Sequence, residues 1–273
     1  MTFLVKNPPT SSDDPRLHDW YHTIDLGNGI TTKGKYDLRP IVDHQGIPES
    51  LSGKTALDIG TAEGFWAFEM ERRGADHVVA IDVERWGDFD WLPWVRETKG
   101  EDLYRSMKPK FDLARFMRGS QVEHQLCSVY DLSPQTVGSF DVTFCGNLLL
   151  HLRNPMQAVL NIRSVTKEIA IISTLTDQAL EDQAAGKPWI SFGRRADEEN
   201  RGDPLGGACI YWHFSTAALQ ELMEYCGFAW TQPLEPFGLP PTGNLTAGAI
   251  GYTKPRDQVD AEADGRGPVS SLR

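Results

Sequence analysis

The sequence LDIGTAEG, residues 57–64, lies between two segments that predict a strand and a helix. The apolar run at 55–59 indicates a buried strand, and the pattern at 65–73, followed by a glycine, indicates a helix. Gly60 and Gly64 allow a tight turn and the close approach of a ligand to the backbone. A glycine loop at this position predicts a ligand site at the carboxyl end of the strand.

The alternation of strand and helix continues along the chain. We predict strands at 77–83, 140–145, 169–174, 228–234 and 245–253, and helices at 156–165 and 216–225. Strands that alternate with helices indicate parallel βαβ units covered on both faces. The sequence therefore predicts an α/β fold whose ligand binds where the strand order reverses.

Composition excludes several classes of protein. With 27 basic and 38 acidic residues the net charge is −11, and 40% of the 273 residues are apolar. This charge argues against broad binding to nucleic acid, which needs a basic surface. The sequence has no run long enough to span a membrane and begins without a secretory signal, so we expect a cytoplasmic protein. The four cysteines lack metal-site spacing, so we expect no metal.

The glycine loop departs from the dinucleotide fingerprint. Counted from Gly60, the second and third glycines of that motif fall on Ala62 and Phe65. Asp58 also precedes the loop, where a carboxylate suits a cationic amino-acid ligand better than a pyrophosphate. Asp82 ends the second strand, where an acid can accept both hydroxyls of a ribose in either class of nucleotide-binding protein. An NAD-dependent oxidoreductase is therefore an alternative that the loop disfavours.

At these residues the chain resembles the class I S-adenosylmethionine (SAM) dependent methyltransferases. The matching stretches are 58–64, Asp82, 128–132 and 140–142, and the resemblance covers about 50–253. It implies a Rossmann-like, seven-stranded, mostly parallel sheet with helices on both faces and an antiparallel final pair. It also implies SAM as cofactor. The cofactor-binding residues predicted from the loop and the resemblance are Asp58, Gly60, Thr61, Ala62, Gly64, Asp82, Val83, Val129, Tyr130, Gly146 and Asn147.

A closer resemblance links the segment at 140–155 to the tRNA wobble-uridine carboxymethyltransferases and a wider set of relatives. His151, Arg153 and Pro155 match their pattern. Leu150 stands where those enzymes have a tyrosine that contacts an additional carboxylate of the cofactor, which favours ordinary SAM. The segment at 20–37 is similar to their lead-in, and it implies an N-terminal lid that folds over the cofactor.

Two histidines are candidates for a general base. Methyl transfer depends mainly on alignment of the nucleophile, and a base helps when the nucleophile carries a proton. His151 follows the fourth core strand, and His22 lies in the predicted lid. The alternatives are a backbone contact at a helix start for His151 and ordinary packing for His22.

Aromatic segments at 86–94 and 189–214 predict either pocket walls or packing under long loops. We predict Trp20, Tyr21, Trp189 and Trp212 as substrate contacts. Arginines at 194, 195 and 201 could stack nucleobases together with such aromatics, but acids at 197–199 and 203 offset their charge.

The predicted organisation has five parts. They are a flexible N-terminus (1–16), a lid or cap (17–50), a methyltransferase domain (51–253) with aromatic inserts at about 86–118 and 177–213, and a flexible tail (254–273). We predict a SAM-dependent methyltransferase that acts on a small organic acceptor. The alternatives are a tRNA wobble-uridine modifying enzyme of the same fold, an NAD-dependent oxidoreductase and a SAM-binding protein without turnover.

Overall fold

The computed structural model describes residues 6–97, 100–193 and 209–263. The strands are β1 (Trp20–His22), β2 (Gly34–Tyr36), β3 (Thr55–Ile59), β4 (His77–Asp82), β5 (Glu123–Leu126), β6 (Phe140–Gly146), β7 (Thr166–Leu175), β8 (Ile190–Phe192), β9 (Trp212–Phe214), β10 (Trp230–Leu239) and β11 (Asn244–Tyr252). The helices are α1 (Phe65–Arg72), α2 (Pro93–Arg96), α3 (Lys108–Arg118), α4 (Pro134–Val137), α5 (Pro155–Val165), α6 (Gln178–Ala184), α7 (Thr216–Tyr225) and α8 (Arg256–Ala263). Within the described ranges, no helix has the length and apolar character needed to cross a bilayer.

Seven strands form one sheet in the order β10-β11-β7-β6-β3-β4-β5. Strand β11 runs antiparallel to both of its neighbours, and the other pairings in this sheet are parallel. This architecture confirms the predicted Rossmann-like fold. Strand β3 pairs with β4 on one side and β6 on the other, so the chain reverses its direction across the sheet at β3. Ligand sites of such sheets lie at this reversal.

Helices cover both faces of the sheet. On one face, Phe68 of α1 stacks on Phe111 of α3 with ring centroids 5.4 Å apart, and both belong to a large apolar cluster. On the other face, α5 and α7 contribute Ile162 and Leu219 to a second cluster. Because both faces are covered, the central strands are apolar almost throughout, which is why their sequences predicted strands without an alternating pattern.

The N-terminal segment, residues 17–50, packs on the first of these clusters. Its buried side chains include Leu17, Trp20, Ile24, Leu26 and Ile30, which lie in the same apolar cluster as α1 and α3. Strands β1 and β2 form a short parallel pair, and a 3₁₀ helix follows them. The segment is where the sequence predicts a lid or cap. Its division from the methyltransferase domain stays a prediction.

Several elements lie where the sequence predicted no regular structure. Strand β5 is one of the two edge strands of the sheet, and its partly exposed residues give no apolar alternation. Helix α3 lies inside the insert predicted at 86–118. Helix α6 and strand β8 lie inside the insert at 177–213, and β9 overlaps its end. Helix α8 begins within the tail predicted at 254–273. Apart from α3, these elements are short or strongly polar, so periodicity alone does not reveal them. Helix α3 is amphipathic, with Phe111 and Ala114 buried, and its pattern could have been recognised in the sequence.

Candidate functional site

One cavity of about 380 Å³ opens at the carboxyl ends of β3, β4 and β6, where the strand order reverses. It contains residues from the glycine loop, from the ends of three strands and from the N-terminal segment. The predicted site residues that line it are Tyr21, His22, Gly60, Ala62, Asp82, Val83, Val129, Tyr130, Gly146, Asn147 and His151. Residues that lie far apart in the sequence, from the N-terminal segment to the end of β6, therefore share one wall.

The glycine loop turns through left-handed backbone conformations. Gly60 has a φ of 77° and Gly64 has a φ of 97°, both of which favour glycine. Ala62 also adopts a positive φ, 50°. This left-handed backbone conformation costs an alanine about 1 kcal/mol of conformational energy. At Gly64 a side chain would meet the ring of Phe111, because a Cβ atom at this position would lie 2.8 Å from it.

Three predicted cofactor residues do not line the described cavity. The carboxyl of Asp58 is buried and accepts hydrogen bonds from the Thr61 hydroxyl (2.6 Å) and the Ala67 amide (3.0 Å). Burial raises the pKa of Asp58 to about 7. Asp58 thus joins the loop to α1, and its predicted contact with the cofactor stays a prediction. Thr61, which donates to Asp58, and Gly64 belong to the loop itself and are likewise absent from the described cavity wall.

Asp82 faces the cavity and holds the loop at the same time. Its Oδ2 accepts the Ala62 amide at 2.8 Å, and its Oδ1 accepts the Val83 amide at 2.7 Å. Burial raises the pKa of this carboxyl to about 6, so it is largely ionised at pH 7. Each oxygen retains a lone pair that can accept a further hydrogen bond. The predicted contact with ribose hydroxyls is compatible with this geometry and stays a prediction.

Tyr130 is fixed through its phenol group. The hydroxyl donates to Asp90 Oδ2 at 2.7 Å and accepts from the Asn154 amide at 3.0 Å. Asp90 also accepts from the Arg153 backbone amide and guanidinium, at 2.6 and 2.5 Å. The Tyr211 hydroxyl donates to the Asp90 carbonyl at 2.8 Å. Sequence reasoning missed Asp90, whose role depends on contacts with distant segments.

The end of β6 brings a polar atom without a partner to the cavity. Asn147 has a φ of 51°, and its amide donates to the Ser173 carbonyl at 2.8 Å. Its side-chain Oδ1 is buried and makes no hydrogen bond with any described residue. Gly146 also lines the cavity, and a Cβ atom there would lie 2.8 Å from the Phe144 ring. Packing therefore requires glycine at 146 whether or not a ligand approaches it.

His151 lies in the cavity wall with a defined tautomer. Its Nδ1 is 2.9 Å from the Cys209 carbonyl oxygen, which can only accept, so Nδ1 carries the proton. The basic lone pair of the neutral ring is then on Nε2. Leu150, at the tyrosine position of the carboxymethyltransferases, is buried and also lines the cavity.

His22 is held beside a buried acid. The Glu63 carboxylate accepts the amides of Tyr21 (2.8 Å) and His22 (3.1 Å), and so attaches β1 to the glycine loop. The His22 ring lies 3.6 Å from Glu63 Oε2, yet burial lowers its pKa to about 3. A neutral imidazole of that pKa is a poor general base at pH 7. His22 is therefore better suited to contact a substrate, and His151 is the better candidate for the base.

Among the predicted aromatic substrate contacts, Tyr21 alone is in the described cavity wall. Trp20 is buried, and its indole donates to the Arg16 carbonyl. Trp212 donates to the Leu152 carbonyl, and Trp189 is 46% exposed. These three rings are engaged in packing or face solvent and do not line the described cavity, so their predicted contacts with a substrate stay predictions. The arginines at 194, 195 and 201, and the acids at 197–199 and 203, lie outside the described residues.

Several wall residues carry no sequence motif. Phe89 and Trp91 of the first aromatic insert line the cavity, as that insert's pocket interpretation predicts. Others come from elements that no loop pattern connects with the site. They are Lys35, Tyr36, Leu38, Gln45, Trp66, Leu175, Leu239 and Asn244.

Comparisons with known proteins agree with the fold described above. No protein-family model matches the chain. The N-terminal domain of EvdMO1, crystallised with S-adenosylhomocysteine (SAH) and D-fucose, superposes with a TM-score of 0.58 at 17% identity, over 88% of this chain and 93% of that one. An O-methyltransferase family protein from Burkholderia thailandensis has a TM-score of 0.51 at 15% identity, over 80% of this chain and 57% of that one. The chain has the class I methyltransferase fold.

One pair of curated relatives matches part of this methyltransferase fold in sequence. The ubiquinone biosynthesis O-methyltransferase of Neisseria meningitidis serogroup C (strain 053442) is 27% identical over 128 residues, and the serogroup A protein gives the same figures. The match spans 46% of this chain and 46% of the relative, about half the length of each. The likeness to tRNA wobble-uridine enzymes stays a prediction from sequence.

Proposed function

We propose that this chain is a SAM-dependent methyltransferase acting on a small organic acceptor. The observation that carries the proposal is the cavity at the strand-order reversal, which joins the glycine loop, Asp82 and Asn147 to an aromatic and apolar wall. The curated relatives and the structural neighbours named above are consistent with this activity.

The cavity's polar groups fit SAM. The unpartnered Oδ1 of Asn147 can accept from the ammonium of the methionine part, which would satisfy a buried oxygen. Asp82 can accept from the ribose hydroxyls, and Val129 with Tyr130 can flank the adenine. The ionised Asp82 also favours a cationic ligand in this partly buried site. When bound, SAM supplies an electrophilic methyl group on a positively charged sulfur, whose bond to carbon breaks on transfer.

The chain's own residues then align the acceptor and take its proton. His151 lines the cavity, and its Nδ1 is anchored on the Cys209 carbonyl, so Nε2 is the atom that can accept a proton. A positioned base of this kind contributes roughly 10²–10⁴-fold to a rate. The aromatic and apolar wall excludes water around the acceptor, which strengthens the polar contacts inside the cavity.

Ordinary SAM is the form of the cofactor that we propose. Leu150 lines the cavity where the carboxymethyltransferases have a tyrosine, and a leucine cannot donate a hydrogen bond to an additional carboxylate. The same residue argues against tRNA carboxymethylation. NAD is disfavoured because Ala62 and Phe65 replace two glycines of the dinucleotide motif.

Calorimetric titration tests the proposal. We expect SAM and SAH to bind in the micromolar range, carboxy-SAM to bind more weakly, and NAD not to bind. NAD binding without SAM binding would refute the proposed cofactor. Release of SAH from SAM over a panel of small phenols and amines then separates an active enzyme from a SAM-binding protein without turnover.

A further inference from the structure

Part of the cavity is not explained by the cofactor contacts. This part, which we call the acceptor wall, combines the N-terminal segment with the ends of β7, β10 and β11. Besides the His22 ring described above, its residues are Tyr21, Lys35, Tyr36, Leu38, Gln45, Leu175, Leu239 and Asn244. Apart from Lys35, Gln45 and Asn244, these residues offer rings and aliphatic side chains. The rings of Tyr21 and Tyr36 lie 4.9 Å apart, centroid to centroid.

Gln45 is the unusual member of the acceptor wall. It lines the cavity and yet is only 1% exposed. Its Oε1 is buried and has no hydrogen-bond partner among the residues that the structure describes. A buried acceptor left in this state costs about 1–3 kcal/mol. A bound molecule that donates a hydrogen bond to Oε1 would remove this cost.

The surrounding structure holds Gln45 in place. It ends the 3₁₀ helix Arg39–Gln45, in which Ile41 is buried, and Gly46 follows with a left-handed φ of 71°. A Cβ atom at Gly46 would lie 2.8 Å from Leu234 of β10, so the backbone at this turn fits closely against the sheet. The side-chain amide of Gln45 is therefore attached to a closely packed backbone. A residue that determines specificity requires such support.

We propose that Gln45 is a specificity-determining residue, and that the acceptor is a flat, largely apolar molecule with a second hydrogen-bond donor. That donor, a hydroxyl or amine remote from the methylated atom, binds Gln45 Oε1. The inference rests on the proposed function, because it assigns Asn147 to the cofactor and leaves Gln45 for the acceptor. Aromatic diols and amino-phenols are the matching chemical class.

The test uses three naphthalenes of one skeleton that carry two, one or no donors. They are naphthalene-2,7-diol, 7-methoxy-2-naphthol and 2,7-dimethoxynaphthalene, titrated by ligand-observed NMR into protein saturated with SAH. We expect the diol to bind the wild type at least roughly tenfold tighter than 7-methoxy-2-naphthol, because the two compounds differ by one donor and one well-placed hydrogen bond allows that factor. The Gln45→Leu variant should weaken the diol most and reduce this difference to less than about threefold, while the dimethoxy compound reports the binding of the skeleton without donors.

A matched control and two further readouts separate this role from others. Gln125→Leu makes the same change on β5, away from the acceptor wall, and should keep the wild-type preference for the diol. In Gln45→Leu the affinity for SAM should be unchanged. Its thermal stability should be equal or higher, because an unpartnered polar group is replaced by an apolar one.

Three outcomes would overturn the inference. They are equal binding of the three compounds to the wild type, a preference that persists in Gln45→Leu, and no binding of any of them to the SAH-bound protein. If the preference persists and Gln45→Leu also loses stability, the second outcome assigns Gln45 to packing. Failure of SAM and SAH to bind would instead refute the proposed function, so the two failures are distinguishable.

Discussion

In the proposed function, the Asp82 carboxylate both holds the glycine loop and binds the cofactor. Its two oxygens accept the amides of Ala62 and Val83, and these bonds hold the loop at the end of β3. The remaining lone pairs face the cavity, where ribose hydroxyls would compete with water for them. A change at this residue therefore affects both the shape of the loop and the affinity for SAM.

Asp82→Ala should weaken SAM binding at least roughly tenfold, because each charge-assisted hydrogen bond contributes about 1.5–3 kcal/mol. The wild-type affinity should also fall as the pH drops through about 6, where the Asp82 carboxylate takes up a proton and loses acceptor capacity. Calorimetry between pH 5 and 8 measures both effects. A variant with wild-type affinity throughout would show that another residue holds the ribose.

At the scale of residues, the sequence predicts the site residues that lie at the end of a strand or directly after it. Gly60, Asp82 and Asn147 lie in the cavity wall because the carboxyl ends of parallel strands meet at one edge. Gln45 and Asp90 could not be predicted in this way. Their roles arise from contacts across the fold, and neither lies at a position that a local pattern marks.

Among the elements, β1 is attached to the glycine loop by the carboxyl group of Glu63. Glu63 is fully buried and accepts the amides of Tyr21 and His22, while Lys110 lies 3.9 Å from it. Burial raises the pKa of Glu63 to about 7 and lowers that of Lys110. The attachment of the N-terminal segment to the site is thus linked to proton uptake near neutral pH.

Stability should fall as the pH rises from 6 to 8. Glu63 has a higher pKa when folded, about 7, than its ordinary value of 4.5, so its stabilising proton is lost as the pH rises through 7. Asp58 acts in the same direction. His22 and His124 act oppositely, because burial lowers their pKa values to about 3 and 4, but their effect lies below about pH 6.5.

Glu63→Gln should flatten this dependence by about 1 kcal/mol between pH 6 and 8. Urea unfolding of the wild type and the variant at both pH values gives the difference. Glu221→Gln, a matched change on the exposed face of α7, should leave the wild-type slope unchanged. An equal slope in Glu63→Gln would mean that Glu63 does not titrate in this range.

The N-terminal segment should be as important to stability as the helices of the domain. Leu26 is fully buried in the cluster shared with α1 and α3, so Leu26→Ala should cost about 2–5 kcal/mol. Leu160→Ala on α5, where the side chain is 43% exposed, should cost less than about 1 kcal/mol. Urea denaturation followed by fluorescence tests this. A small cost at Leu26 would mean that the segment opens independently of the core.

The strands and helices differ in how well the sequence predicts their bounds. Strand β3 and helix α7 have the predicted bounds, because an apolar run or an apolar stripe with a clear stop marks each of them. Strands β1 and β2 have three residues each, which is too short for a pattern. Their arrangement depends on contacts with the glycine loop, which lies about 40 residues further along the chain.

For the whole molecule, a net charge of −11 has consequences for partners. We expect tRNA to bind with a dissociation constant of about 0.1 mM or weaker at 150 mM salt, because phosphate contacts require basic side chains. Filter binding with unmodified tRNA measures this. Sub-micromolar binding would favour the tRNA-modifying alternative, and it would require a local basic surface that the total charge conceals.

The close fit of Gly46 against Leu234 has a consequence for biosynthesis. Ribosomes release the N-terminal segment first and β10 almost 200 residues later, and domains commonly begin to fold during synthesis. The turn at Gly46 therefore waits for a partner strand that is made near the end of synthesis. We expect the backbone that carries Gln45 to reach its final position only after β10 has joined the sheet.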